Sequence, residues 1–445
     1  MGAFLAMIFE RMIIPIAIVI AFSAVYFGLQ RTDLSIEPVI SVMVLLSPLW
    51  LPYLLFYIMF EEWREYIRMK WRIDNGRVTL RIKLPQEVFK SPEAMEAVFN
   101  QIYDPSGADN LYQTYIDGKN PLAVSCELVS HGGEVRFYVN VPKKKFKNRV
   151  EAQLYAHYPG IEVVEELIDY AAEVQWNPDK YEMMAFHINK KDNQIFPIKT
   201  YIDFGLDKLP KEEEKFEPMA TMIEQIGRLK PHERIWIQFL AKAHAKKNFG
   251  TGDLHESGTW EKDIAAHVGK LLGRDKDKKG PLETEMTPRL TRSEQDTVTA
   301  MERNGSKYAY EVAIRMLYIT EKGKFNGESL LALRTFAQYD MIGRNRVGVV
   351  WRSDFDYNWF SDFSGAKKLS WKKSELHDYK LREYSARAKS SGGSKSDDPK
   401  VFSSEELATM FHIPGSAVIS PSLPRIMSTR KEAPSNLPTG LSSTI

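Results

Sequence analysis

Hydrophobic and polar positions are distributed unevenly along this chain. Met12–Leu29 contains no charged residue, and neither does Pro38–Phe60. At about 1.5 Å per helical residue these runs would extend roughly 27 Å and 34 Å, close to the thickness of a hydrocarbon core. The pattern predicts two spanning helices that make residues 1–60 a membrane anchor. Pro15, Pro48 and Pro52 fall inside the runs and predict kinks. The only small hydroxyls inside are Ser23, Ser41 and Ser47, and no Asp, Glu, Lys, Arg or His is present, which favours an anchor over a pore. A cleaved leader fits poorly, because the first residues lack a basic cluster.

Flanking charge sets the expected orientation. The connection Gln30–Glu37 has one basic residue, Arg31, whereas Arg64, Arg68, Lys70, Arg72, Arg77 and Arg81 follow the second run. Both termini and the soluble domains are therefore expected in the cytoplasm, with the chain passing twice through the inner membrane. Trp63, Tyr66 and Trp71 interleave with the basic residues, and 61–76 reads as a juxtamembrane segment on the lipid surface.

Beyond that point the periodicity becomes that of a globular α+β protein. Arg77–Leu84 alternates apolar and basic positions and reads as a half-buried strand. Ser91-Pro92 opens a helix, Leu122–Val129 and Glu134–Val141 read as strands joined through His131-Gly132-Gly133, Lys145–Tyr158 as a helix, and Ile161–Glu165 as a strand. The order β-α-β-β-α-β predicts a ferredoxin-like, split βαβ domain over 77–170. A second α+β sandwich is expected over 171–352. Its strands are Glu182–Ile188, Ile198–Tyr201, Glu233–Ala241, Tyr308–Ile319 and Gly348–Arg352, and its helices are Glu217–Leu229, Thr291–Arg303 and Glu328–Asp340. A polar insert, about 242–288, interrupts it with one helix, Thr259–Leu272. Residues 353–445 begin with a basic and aromatic region. A flexible linker at 389–400, a short capped helix at 404–411 and a Pro- and Ser-rich tail complete them.

Composition narrows the function classes. Sixty basic against 58 acidic residues give a net charge of +2, so overall charge does not draw the chain to nucleic acid. One cysteine, Cys126, excludes an intrachain disulfide framework and a cysteine-built zinc site. There is no P-loop, no H-x-x-x-H and no H-E-x-x-H, so no catalytic, cofactor-binding or metal-binding residues are assigned and a non-enzymatic role is expected. Three basic clusters remain as candidate contacts for a phosphate backbone or anionic lipid: Lys143, Lys144 and Lys145; Lys367, Lys368, Lys372 and Lys373 within the aromatic-bearing stretch 366–389; and Arg274, Lys276, Lys278 and Lys279 at the insert tip, diluted by Asp275 and Asp277. A solvated face, or attraction to anionic lipid beside the anchor, is a simpler reading of each cluster than nucleic acid. In the capped helix, Leu407, Met410 and Phe411 form an apolar stripe, to be buried on its own domain or on a docking partner.

Several stretches carry a family resemblance: RIKLPQEVFKSPEAMEAVF (81–99), GIEVVE (160–165), ERIWIQ (233–238), KYAYEVAIRMLYI (307–319), and above all FSSEELATMFHIPG (402–415) with APSNLP (433–438). In these the chain resembles the N-terminal, membrane-proximal region of type IV secretion and conjugative DNA-transfer ATPases of the HerA/FtsK superfamily. Walker motifs are absent from this sequence, so no ATPase residue carries over. The resemblance implies an inner-membrane scaffold subunit of a secretion or DNA-translocation apparatus, docked to a P-loop ATPase supplied in trans and forming homo-oligomers. Two alternatives stay open: a membrane-anchored DNA-binding module, and an enzyme with an unrecognised site.

Overall fold

A computed structural model describes residues 37–85, 91–105, 107–207, 217–246, 248–251, 258–272, 290–352, 365–383, 399–415 and 422–426. The chain forms two bodies, divided between Ile67 and Arg68. Helix α1, Glu37–Asn75, runs through that division as one element.

The expectation of two spanning helices is corrected here. Among the described residues no helix is long and apolar enough to cross a membrane. The first expected span, Met12–Leu29, lies outside those residues. The second, Pro38–Phe60, is the front part of α1, which continues without a break into the charged sequence EEWREYIRMKWRIDN. The apolar run is thus part of a longer, mixed helix. Its backbone tolerates Pro48 because a side chain replaces the missing N–H: the Ser47 hydroxyl donates to the Val44 carbonyl at 2.7 Å. Val44, Leu45, Leu51, Leu54, Leu55, Phe56 and Met59 are all exposed.

The second body is built on one sheet. Its strands are β1 (Arg77–Pro85), β2 (Val124–His131), β3 (Glu134–Pro142), β4 (Glu162–Glu166), β5 (Tyr181–Lys190), β6 (Glu233–Ala243), β7 (Ala309–Glu321), β8 (Val347–Trp351) and β9 (Lys400–Ser403). These pair antiparallel throughout, and a two-residue strand β10 (Arg425–Ile426) adds parallel to the end of β1. The order β4-β1-β3-β2 is the split βαβ order. In the other half β8-β5-β7-β6 repeats it. The halves do not form two separate sandwiches, as the sequence suggested. Strand β2 pairs with β6 from Val124↔Ala241 to His131↔Arg234, making one continuous sheet.

One face of that sheet carries the main core. Alternation puts Val78, Leu80 and Ile82 of β1, Phe137 and Val139 of β3, Ile235, Ile237 and Phe239 of β6, and Ile314 and Met316 of β7 on it. Helices α2 (Pro92–Ile102), α3 (Leu111–Tyr115), α4 (Lys143–His157) and α5 (Pro218–Gly227) follow in chain order, and all but α3 contribute buried residues to this core. A run of 3-10 turns, Gly327–Tyr339, stands where the second unit was expected to have an α-helix, and packs Ala332 and Phe336 on the same face. Helices α6 (Trp260–Leu271) and α7 (Arg292–Gly305) bury Trp260, Ile264 and Met301 in a smaller cluster with Val401.

The C-terminal region returns to this body. After helix α8 (Ala366–Leu381), β9 pairs with β7 from Ala309↔Ser403 to Val312↔Lys400, and α9 (Ser404–Met410) follows directly. Ser403 and Glu406 form the capping box expected from sequence. Ile198–Tyr201, read as a strand, is not one. The Ile198 amide donates to Glu406 Oε1 and the Tyr201 amide to Thr409 Oγ1, so α9 takes the groups a ladder would need. Lys190 Nζ donates to Glu406 Oε2 at 2.9 Å and to the Val401 carbonyl at 3.0 Å, with both side chains fully buried. Burial pulls the Lys190 ammonium below its usual range, while Glu406 works to raise it. The expected linker 389–400 and the tail lie largely outside the described residues.

Removing one member of a buried ion pair strands the other, at a cost on the order of 3–5 kcal/mol. Glu406→Ala is expected to lower unfolding stability by about that much, measured in guanidinium by tryptophan fluorescence. The double variant Lys190→Met/Glu406→Leu should recover only the part due to the stranded charge, since the Ile198 and Ser403 amides still lose their acceptor. An unchanged midpoint in the single variant would exclude a structural role for the pair.

Candidate functional site: a polar row beneath helix α8

The second face of the sheet is also covered, yet a row of polar side chains crosses it. Register aligns Tyr138 with Glu127, Glu127 with Gln238, Gln238 with Arg315, and Arg315 with His187. One position is drawn from each of β3, β2, β6, β7 and β5, so the row runs through both halves of the sheet. Glu127 and Gln238 are fully buried, and Arg315 and His187 nearly so. The neighbouring positions Val129, Trp236, Leu317 and Ala185 are apolar and pack with Leu376 and Tyr379 of α8.

Burying charge requires partners, and those of Glu127 come from four directions. The Ser125 hydroxyl donates to Glu127 at 2.6 Å, the Tyr170 hydroxyl at 2.7 Å and the Gln238 amide at 3.1 Å. Arg382 donates from Nε at 3.0 Å and from Nη2 at 3.2 Å. Desolvation would raise the Glu127 carboxyl, but Arg382 and the hydroxyl donors outweigh it and hold it below the usual carboxylate range. Arg382 also pairs with Asp169. It caps α8 in the left-handed region at φ 53°, a conformation that costs a non-glycine residue roughly 1–2 kcal/mol. Contacts with the buried Glu127 and the half-buried Asp169 offset that strain. The hydroxyls of Tyr170 and Tyr379 are 2.8 Å apart and join α8 to the same cluster.

The other end of the row has its own ion group. His187 Nε2 lies 3.1 Å from Glu375 Oε2 of α8, and Arg352 donates to Glu375 Oε1 from Nε and Nη2, each at 3.1 Å. Burial opposes ionisation of Glu375, but His187 and Arg352 hold its carboxyl down to about 2. Burial also lowers His187, against the pull of Glu375. Trp371 lies under the Arg352 guanidinium, 5.3 Å from ring centroid to Cζ. Glu127, Asp169, Glu375, Arg352 and Arg382 are each committed to another group of the same chain. The arrangement fixes the position and register of α8 on the sheet.

The residues singled out by sequence fall elsewhere. Lys143 and Lys145 begin α4 and face carboxylates, Lys143 at 3.5 Å from Glu165 and Lys145 at 3.0 Å from Asp104; Lys144 is exposed. Lys367 and Lys373 are exposed on α8, Lys368 is half-buried, and Lys372 is buried. Helix α8 is therefore a cover for the sheet, with one basic side. Leu407, Met410 and Phe411 lie in the main core, where the Phe411 ring is 5.9 Å from Phe137 and 5.7 Å from Phe239. No apolar stripe is left there for a docking partner. The insert tip around Arg274–Lys279 lies outside the described residues. Among the described residues no cluster of His, Cys, Asp and Glu is placed to hold a metal ion.

Between β1, β3 and β10 is a cleft of about 70 Å³, lined by Arg81, Lys83, Phe137 and Arg425 among others. It has room for a few waters. Its cations have partners: Lys83 pairs with Glu162 at 3.1 Å, and Arg425 donates to the Pro85 and Gly415 carbonyls.

Sequence reasoning missed Glu127, Gln238, Arg315, His187 and Arg382. In strands of period two each polar position reads as facing water. A usable signal was that such polar residues recur singly within strands whose remaining outward positions, such as Trp236 and Leu317, are large and apolar.

The depressed Glu375 carboxyl sets an acid limit. A carboxyl lowered on folding contributes stability that is present above its unfolded value, about 4.5, and lost as pH falls through about 2. Unfolding free energy should therefore decline between those values. Glu375→Gln should be less stable at neutral pH and show a shallower decline. Parallel profiles for the two proteins would refute this account.

No curated protein matches the sequence. A family model described as a domain of unknown function, DUF8128, matches residues 69–326, a stretch that begins eight residues before β1 and ends just past β7. This is more than half of the chain, which therefore belongs to the DUF8128 family.

Proposed function

We propose that the chain is a non-enzymatic scaffold held at a lipid bilayer, on the cytoplasmic side of the inner membrane, through the apolar front of α1. The observation that carries this reading is the exposure of Val44, Leu45, Leu54, Leu55, Phe56 and Met59, with Leu45 at 76%. Each such side chain gains about 1.5–3 kcal/mol on leaving water, so a row of them needs an apolar phase. Trp63 and Tyr66 follow at a ring separation of 6.0 Å, and Arg64, Arg68, Lys70 and Arg72 come next, the chemistry of a headgroup region rich in anionic lipid.

The scaffold part of the reading draws on the internal use of the buried charges. Glu127, Glu375 and Glu406 each bind one part of this chain to another, which suits a rigid platform. The machine it would serve, a secretion or DNA-translocation apparatus with a P-loop ATPase in trans, rests on the resemblance at 81–99 and 402–415. A DNA-binding module gains little support, since Lys143 and Lys145 face acidic partners and α8 buries Lys372 and Tyr379.

Full-length protein should float with vesicles of phosphatidylcholine and phosphatidylglycerol in a density gradient. Leu45→Asp/Leu55→Asp/Phe56→Asp should cut the floated fraction by about tenfold or more, as each carboxylate costs ~2.5 kcal/mol or more in an apolar phase. Wild-type protein left in the dense fraction would sink the membrane role. Affinity isolation from cross-linked membranes should recover a P-loop ATPase, and repeated failure would remove the transfer machine from the proposal.

A further inference from the structure

The second body carries an apolar patch of its own. Leu111, Tyr112, Ile116 and Phe249 are each about half exposed or more, although they lie close together in the fold. Helix α3 is short, but the patch is firmly built. Asn110 Oδ1 accepts from the Gln113 amide at 2.9 Å, the Thr114 hydroxyl donates to the Gly250 carbonyl at 2.8 Å, and the Tyr115 hydroxyl donates to the Phe249 carbonyl at 2.6 Å. The rings of Tyr115 and Phe249 are 5.3 Å apart. At the rim, Lys119 and Asp109 pair at 3.0 Å. Other apolar residues of this body, such as Leu167, Ile168 and Ile342, are more exposed, but this group of four is held together by hydrogen bonds and a ring contact, which makes it the candidate contact surface.

Its position on this body names the occupant. Arg68 is the residue at which α1 enters, and its guanidinium donates to the Thr251 carbonyl, two residues from Phe249. The chain therefore enters beside the patch. Met59, the last exposed large aliphatic residue before that point, is nine residues away, a tether of at most about 32 Å even when fully extended. We infer that Leu111, Tyr112, Ile116 and Phe249 form a second lipid-contact surface, which dips into the interface of the bilayer that receives the front of α1. Two contacts fix how a platform faces a membrane, whereas one helix leaves it free to swing. The inference rests on the membrane reading of α1.

The lone cysteine, Cys126, is buried, so an introduced thiol can be labelled selectively. Full-length Tyr112→Cys carrying an environment-sensitive nitrobenzoxadiazole probe would be bound to phosphatidylcholine–phosphatidylglycerol vesicles, with and without a doxyl quencher on the acyl chains. Leu55→Cys reports on α1. Lys322→Cys is the control, since it follows the far end of β7, about 40 Å from the end near the patch. Quenching of at least twofold at 112 and at 55, with none at 322, is the expected result. Quenching at 55 alone overturns the second contact and leaves the role of α1 standing. No quenching at either site defeats both. A blue shift at 112 that needs no lipid and grows with protein concentration overturns the inference in favour of a second copy of the chain. Phe249→Cys provides a second reporter if Tyr112→Cys fails to fold.

Discussion

The pairing of β2 with β6 is the constraint on which the rest of the second body depends. Each half has the strand order of a split βαβ unit, and in such a unit the β2 or β6 position is a free edge. Here the two edges satisfy each other over eight residues of β2. The main core then runs without interruption from Val78 on β1 to Val347 on β8. The same register fixes Glu127 opposite Gln238, and β6 in turn sets Gln238 opposite Arg315. A slip of one residue would move Phe239 to the polar side and Gln238 into the apolar core. The polar row thus specifies register at the join.

The row also accounts for the fate of the C-terminal region. A sheet with Glu127, Arg315 and His187 on its second face needs a cover that brings opposite charge, and α8 supplies Glu375, Tyr379 and Arg382. On the first face α9 does the equivalent through Glu406, which meets Lys190, and through Phe411, which fills the space between Phe137 and Phe239. Two segments distant in sequence are therefore needed to complete the body begun at β1. Both lie beyond the stretch matched by the family model.

Local pattern carried the first half well, because its elements follow one another at short range. The strand at Arg77–Leu84, the hairpin at Gly132-Gly133 and the capping boxes at Thr291 and Ser403 are set by neighbours within a few residues. Gly133 shows why the hairpin is legible: its φ is +90°, and a Cβ there would meet the Gly227 carbonyl oxygen at 2.7 Å. What the pattern left out depends on distant partners. Ile198–Tyr201 has the composition of a strand, yet Glu406 and Thr409, some two hundred residues later, claim its amides. The joining of the halves was equally hidden, since periodicity assigns the faces of β2 and β6 and says nothing of which edges meet. The spanning helices were read from a charge-free window, whereas α1 runs on through charged residues as one element.

The two regions of exposed apolar surface raise a different kind of constraint. In the second body, potential energy is spent inwardly: carboxylates find guanidinium groups, tyrosine hydroxyls find carboxylates, and Trp236 and Phe411 find other rings. Large apolar side chains nevertheless remain exposed, among them Leu167, Ile168 and Ile342 singly or in pairs, Leu111, Tyr112, Ile116 and Phe249 as one group, and Leu45 and Phe56 on α1. Singly exposed apolar residues are ordinary, whereas a group held together gains by leaving water as a unit. In the membrane reading proposed above, one apolar phase meets both regions and supplies that gain. It also explains why Thr114 and Tyr115 spend hydrogen bonds on holding a five-residue helix against the loop at Phe249: a contact surface transmits orientation only if the body behind it is rigid.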